Sequence, residues 1–298
     1  MTALPVLEIG GSHVTAALVD MADGTVAHRG RGGLRATDPV GMLLRDIAET
    51  ACRLDAPAGA TWGVAVPGPF DYDTGIGRFH GVGKFASLNG VDVGAELRAR
   101  IRPHPHALRF LNDAAAFGCG EWQWGAAKGH DRAVAITLGT GVGSAFLDRG
   151  RIVADGPRVP PEGRADLLTI NGQPLEQTVS TRAVLAAYRR AGGEACDGVA
   201  EVMARVAHGD ERAAGVVDEA YRLLGRALAP WLRRFEASVL VIGGGISAAW
   251  QFVAPPLGQG IQSADAEVAE RVTVVRSPDA ETSALRGAAL RASALAQR

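Results

Sequence analysis

The chain has 298 residues, enough to bury a sizeable core and, by length, to form two domains. Its 31 basic and 32 acidic residues leave a formal net charge of −1, which excludes a general electrostatic pull towards nucleic acid or anionic membrane. With 47% hydrophobic and 21% charged residues, the composition is that of a globular protein and not of a disordered chain.

Cys52, Cys119 and Cys196 are far apart and form no C-x-x-C pair, so they read as reduced thiols and not as a disulfide framework or zinc knuckle. The N-terminus enters a strand without the basic and apolar regions of a signal peptide. No apolar run reaches bilayer length. A soluble, cytoplasmic chain is therefore expected.

In chain order, Val6–Ile9 predicts a short strand, Gly10-Gly11-Ser12 a turn, and Val14–Val19 a returning strand. A second turn at Asp20–Gly24 leads to a third strand from Val26. Thr37-Asp38-Pro39 reads as a helix start, with a capping side chain and then proline in the first turn. Val40, Leu43, Leu44, Ile47, Ala51 and Leu54 follow at helical spacing. Trp62–Val66 is the next strand, closed by Pro67-Gly68-Pro69. Residues 70–94 read as a long loop with short strands, in which Lys84, Phe85 and Asn89 are candidates to face a ligand. Asp92–Ile101 predicts a helix.

The central stretch runs from His106 to Leu147. An apolar run, Ala107–Leu111, ends in Asn112-Asp113, and a helix-like segment continues to about Ala127. A second apolar run, Ala133–Leu138, opens into Gly139-Thr140-Gly141-Val142-Gly143. This region resembles the N-terminus. LEIGGSHVTAALVD and ITLGTGVGSAFLD each carry a strand into a glycine turn, a small-residue strand out of it, and then an acidic turn. Setting Gly10 on Gly139 predicts two domains of one topology. Residues 155–180 read as polar, proline-rich loop. Helices follow at roughly 181–191, 197–208 and 210–235, the last with Pro230 inside and so expected to kink. Ser238–Ile242 is a strand ending in Gly243-Gly244-Gly245. A helix from about Ser247, a strand at Val272–Val275 and a small-residue helix from about Glu281 through Gln297 complete the chain.

Three glycine turns at strand ends point towards phosphate, because bare backbone N–H groups in such turns converge on anions. For any one of them taken alone, a tight hairpin is the better reading; three at strand ends in one chain shift the balance towards phosphate. VLVIGGGISA also fits a dinucleotide fingerprint, yet lacks the acidic residue expected at a following strand end. No G-x-x-x-x-G-K-[ST] occurs. Asn112-Asp113 has a plain alternative as a helix cap. At the C-terminal end of a strand, however, open α/β sheets place ligands, and a carboxylate there could take the proton of a hydroxyl attacking a γ-phosphate. Glu8 is an acid inside an apolar strand beside a glycine turn, and is a candidate to hold Mg²⁺ through water. Glu162 and Glu176 bracket the polar loop, either solvated or contacting substrate hydroxyls.

Taken together, these landmarks resemble the ROK family of sugar kinases, within the hexokinase/actin/Hsp70-like ATPase superfamily. The turn at 8–12 resembles the family's first phosphate loop and PGPFD at 67–71 a segment near the sugar site. LND at 111–113 resembles the catalytic Asn-Asp and LGTGVGSA at 138–145 the second phosphate loop. VLVIGGGIS at 239–247 resembles the adenosine loop and ALRGAALRA at 284–292 the closing helix. They occur in family order over nearly the whole chain.

The resemblance implies an α/β protein of two RNase H-like (actin-like ATPase) domains with a central cleft. The expected boundaries are 1–111 plus 283–298 for one and 112–282 for the other. It implies Asp113 as the general base. Asn112, Gly68, Asn89, Glu162 and Glu176 would contact the substrate. Gly10, Gly11, Ser12, Gly139, Thr140, Gly141, Gly244 and Gly245 would contact ATP. Glu8 would serve Mg²⁺, and a homodimer is implied.

Departures from the family pattern matter. No His or Cys occurs in residues 163–176, so the family's zinc cluster, and with it the usual histidine contact to a sugar hydroxyl, is expected to be lost. Glu8 replaces the usual aspartate. Sites that hydrogen-bond a hydroxyl reject analogues lacking it, so a hexose derivative or a sugar-like cyclitol is the expected substrate. The alternatives are a glucokinase with an altered sugar site, a non-catalytic sugar-binding pseudokinase, and a dinucleotide oxidoreductase.

Overall fold

The structure, a computed structural model, describes residues 3–293. Its elements begin with strands β1 (Ala3–Ile9), β2 (His13–Asp20) and β3 (Val26–Gly33), helix α1 (Val40–Cys52) and strands β4 (Thr61–Val66), β5 (Phe70–Asp71) and β6 (Ile76–Gly77). Helix α2 (Val93–Arg100), strand β7 (Ala107–Asn112) and helix α3 (Asp113–Trp124) follow. Next come β8 (Arg132–Leu138), β9 (Val142–Asp148), β10 (Arg151–Ile152), β11 (Thr169–Ile170), β12 (Gln173–Pro174), α4 (Glu176–Val179), α5 (Thr181–Arg190), α6 (Val199–Ala207) and α7 (Glu211–Phe235). The chain ends with β13 (Val239–Gly243), α8 (Trp250–Ala264), α9 (Ala266–Arg271), β14 (Thr273–Arg276) and α10 (Ala280–Ala292). The expected extension of the last helix beyond residue 293 lies outside the described residues.

The described residues divide into two compact units, 3–120 with 281–293, and 121–280. Each holds a five-stranded sheet. The first has the order β3-β2-β1-β4-β7 and the second β10-β9-β8-β13-β14. In both, the first three strands of the unit form an antiparallel meander and the remaining two join it in parallel. The strand-by-strand correspondence β1/β8, β2/β9, β3/β10 is the repeat visible between the two glycine-turn stretches of the sequence.

In the first unit, β4 is buried without a break from Trp62 through Val66, and β1 over Pro5 to Leu7 and at Ile9. Unbroken burial in β4 reflects cover on both faces, which is why it reads as an apolar run and not as an alternating pattern. Leu43, Leu44, Ile47 and Ala51 of α1 pack into the core with Leu7, Ile9 and Val64. α10 approaches so closely that a methyl group at Gly63 would stand 1.8 Å from the Ala288 carbonyl oxygen. Gly287 meets the backbone of Ala116 in the same manner, and Gly120 meets Ser283. The small residues of the last helix thus serve its packing on β4 and α3 inside this unit.

In the second unit, α7 carries Val217, Tyr221, Leu224, Leu228, Leu232 and Phe235 into a separate core with Val134, Ile136, Leu240 and Ile242. α7 remains helical on both sides of Pro230.

Two local expectations need correction. Pro39, and not Thr37 or Asp38, occupies the cap position of α1, with no side-chain cap. Asp38 instead pairs with Arg35 at 3.9 Å, while its carbonyl accepts from Ser87 Oγ at 2.8 Å. The region 155–180, expected to be loop, contains the β11–β12 hairpin and the short α4. Among the described residues, no helix is long and apolar enough to cross a membrane.

Candidate functional site

Parallel pairing places the ends of β1, β4 and β7 along one edge of the first sheet. Glu8 pairs with Ala65, and Val66 with Asn112. The residues that follow these strands, Gly10 to Ser12, Gly68 and Asp113, therefore emerge on the same edge, where parallel sheets assemble ligand sites.

The first glycine turn is anchored through its acceptors. The carbonyl of Gly11 accepts from Ala36 N–H at 3.1 Å and that of Ser12 from Leu34 N–H at 3.0 Å, while Gly10 N–H closes the hairpin on His13 at 2.9 Å. A methyl on Gly11 would stand 3.4 Å from Lys84 Nζ, so this lysine lies against the turn. Burial raises the pKa of Asp113, and the Lys84 charge offsets part of that rise.

Asn112 is a helix cap as well as a candidate contact. Its Oδ1 accepts from the N–H groups of Ala114 (3.0 Å) and Ala115 (3.2 Å), satisfying donors that α3 leaves unpaired. Its Nδ2 donates to Tyr72 Oη at 3.1 Å. Gly68 borders the same group, since a methyl there would stand 3.1 Å from Tyr72 Oη and 3.9 Å from Asn112 Nδ2. Asn89 is exposed and closes a short turn, its N–H on Ala86 O at 3.2 Å.

Asp113 opens α3, with Oδ1 accepting from Ala114 N–H at 2.9 Å. Burial pushes its pKa up, against the pull of that backbone bond. Glu8 lies near enough to Asp113 for the two carboxylates to repel. Burial, and then the charges of Glu281 and Asp113, push Glu8 up to about 7, with Arg31 and Arg29 working the other way. The Oε2 atom of Glu8 is buried and has no hydrogen-bond partner. His13 Nε2 stands 3.6 Å from that atom, too far for a hydrogen bond. Burial, reinforced by the Arg31 charge, lowers the imidazole pKa. Glu8, His13 and Glu281 each offer one donor atom, and these atoms lie within 4.8 Å of one another.

The donor set suits a divalent cation: carboxylate oxygens, one of them buried and unpaired, beside an imidazole nitrogen. His13, Glu281 and Tyr72 are the residues that sequence reasoning left without a role. Lys84, already a candidate from its place in the glycine-rich loop, lies against the first glycine turn.

In the second unit, β8 and β13 pair in parallel from Ala133/Val239 to Thr137/Gly243, so their following turns share an edge as well. Gly244 adopts φ 87°, a conformation that favours glycine, and a methyl there would overlap the Leu138 carbonyl. The second and third glycine turns are therefore in contact. Gly139 N–H bonds Gly141 O at 3.0 Å, and Gly139 O accepts from Thr181 N–H at 2.9 Å.

Glu176 lies against this turn. Its Oε2 is 3.5 Å from Val142 N and its Oε1 is 3.3 Å from Arg182 Nη2. Glu162 is on an exposed turn at φ 57°, 3.5 Å from Arg164 Nη1. Glu176 thus joins the glycine turn, whereas Glu162 joins a surface ion pair with Arg164.

A glucokinase from Thermotoga maritima is 27% identical to this chain over 277 residues, 86% of each. Among solved structures, the inorganic polyphosphate/ATP-glucomannokinase from Arthrobacter sp. strain KM is 25% identical, with TM-score 0.71 and 98% of both chains covered. A ROK family glucokinase from Streptomyces griseus, solved with glucose and AMPPNP, has TM-score 0.76 at 21% identity over 97% of this chain and 98% of that one. The family's sequence profile matches residues 5–164 and 169–295. With glycine turns at the expected strand ends, two sheets of one topology and a profile spanning almost its whole length, the chain belongs to the ROK family.

Proposed function

We propose that the protein is an ATP-dependent kinase acting on a hydroxyl of a sugar or a sugar-like cyclitol. The observation that carries this reading is the edge of the first sheet. There a half-buried Asp113, its pKa raised by desolvation, stands at the end of β7, beside a glycine turn and the unpartnered Oε2 of Glu8. The relatives named glucokinase and glucomannokinase agree with it.

In this mechanism the acceptor hydroxyl donates its proton to the Asp113 carboxylate as its oxygen bonds to the γ-phosphorus, and ADP departs with the electrons of the broken P–O bond. Burial raises the basicity of Asp113, which makes it a stronger proton acceptor than a solvated aspartate. Asn112 has spent its carbonyl on the helix cap and part of its amide on Tyr72. It therefore presents a position fixed at both ends. Gly68, beside both, would let a sugar ring approach close to backbone. Gly10 to Ser12 and Gly139 to Gly141 would hold phosphates through N–H groups, and Gly244-Gly245 would lie against the adenosine. Mg²⁺, held by Glu8 through water, would neutralise phosphate charge. Glu162 and Glu176 are proposed substrate contacts, their Arg164 and Arg182 partners exchanged for hydroxyls.

The test is a panel of hexoses, hexose derivatives and cyclitols incubated with ATP and Mg²⁺, read by mass spectrometry. ATP-dependent phosphorylation of at least one member is expected. Glucose as clearly the best substrate would remove the cyclitol half of the proposal, and no phosphorylated product from any member would remove the kinase.

A further inference from the structure

Glu8, His13 and Glu281 come from three elements: the end of β1, the start of β2, and the first turn of α10. Nothing in the kinase chemistry above uses the imidazole or the third carboxylate. Yet their donor atoms converge within 4.8 Å of one another.

We propose that these three side chains form a mixed nitrogen–oxygen site for a first-row transition divalent cation of the Mn²⁺, Co²⁺ or Zn²⁺ class. The proposal rests on the reading of Glu8 as a metal-holding residue and changes which ion it holds.

Four observations carry it. First, Glu8 Oε2 is buried without a hydrogen-bond partner, a costly state for a carboxylate oxygen unless a cation meets it. Second, His13 Nε2 faces that oxygen at 3.6 Å. Two ligands each about 2.1 Å from one ion stand roughly 3.0–3.5 Å apart, so this pair needs only a small inward movement.

Third, each outer ligand is held from behind. Ser12 Oγ lies 3.2 Å from His13 Nδ1, which leaves Nε2 to the ion, and buried Thr15 donates Oγ1–H to Glu281 Oε1 at 2.6 Å. Such partners orient metal ligands and set their basicity. Fourth, Arg31 pairs with Glu281 only at 3.7 Å and is 58% exposed, long and solvated enough to swing aside. Mg²⁺ favours oxygen ligands and sheds water reluctantly. An imidazole among two carboxylates suits softer ions that accept nitrogen.

The experiment uses the full-length, metal-free protein without nucleotide, since ATP itself binds these ions. Co²⁺ is titrated by visible absorption and Mn²⁺ by electron paramagnetic resonance, with Mg²⁺ as competitor. Wild type should bind one equivalent of each, and His13→Ala should weaken Co²⁺ binding by at least about tenfold with little change for Mg²⁺. Electron spin echo on wild type with Mn²⁺ bound should show imidazole nitrogen coupling, a readout that stands even if a variant fails to fold.

Absence of stoichiometric binding by wild type, a Mn²⁺ signal without nitrogen coupling, or unchanged Co²⁺ affinity in folded His13→Ala overturns the site. These results separate from the kinase question. Sugar phosphorylation with Mg²⁺ but no Co²⁺ site keeps the kinase and removes this proposal. A Co²⁺ site without any phosphorylation keeps this proposal and removes the kinase.

Discussion

Replacing Glu8 by glutamine isolates the cost of carrying a carboxylate on a buried strand. The folded protein holds this group at about 7, against a reference value of 4.5. A raised pKa means that the folded state favours the protonated form, so the group's contribution to stability is complete below pH 4.5 and is lost as pH rises through about 7. At about 1.4 kcal/mol per unit, the shift amounts to about 3 kcal/mol of stability lost across that window.

Glutamine keeps the shape and cannot ionise, so its stability lacks this descent. Urea unfolding of wild type and Glu8→Gln, paired at each pH from about 4.5 to about 8 without divalent cations, should show the variant gaining on wild type by about 3 kcal/mol and then levelling. Differences between the paired curves cancel the titration of groups far from residue 8. Parallel curves across the window would refute the reasoning. They would mean that Glu8 is solvated, or compensated by Arg29 and Arg31, in the folded state.

Other changes follow from the same geometry. Asp113→Asn should lower kcat by about two to four orders of magnitude while ATP affinity stays close to wild type, measured by coupled assay and calorimetry. Asn112→Ala should cost about 1 kcal/mol through loss of the α3 cap, read as a lowered urea midpoint, and should also raise the sugar KM. Gly63→Ala should destabilise by roughly 1–3 kcal/mol, because the obstacle is the Ala288 backbone and not a flexible side chain. Gly215→Ala, in the interior of α7 with open space around it, should instead stabilise by about 0.5–1 kcal/mol. Similar thermal shifts for those two glycine variants would contradict the packing described for α10.

Much of this molecule is written locally. Glycine turns after apolar runs, the position of Asn112-Asp113 at a strand end, the helical spacing through α1 and the likeness of the two glycine-turn stretches are all patterns of neighbouring residues. Backbone sterics and burial periodicity act at that range, so elements and repeat could be read directly. The cap of α1 was misread because Thr37-Asp38-Pro39 offers polar groups that the fold commits elsewhere, Asp38 to Arg35 and Ser87. The Arg35 pair is local, three residues away, whereas the Ser87 contact joins residues 49 apart.

The tertiary structure decided the rest. Only chain crossing brings Glu281 from the last helix to His13 and Glu8, sets Lys84 on the first glycine turn and lays Glu176 against the second. It alone sets the acidity of Glu8, because desolvation and Coulomb repulsion depend on distances through space that a linear order of residues does not hold. The sequence by itself determined which strands end in bare backbone. Packing determined which charges meet there.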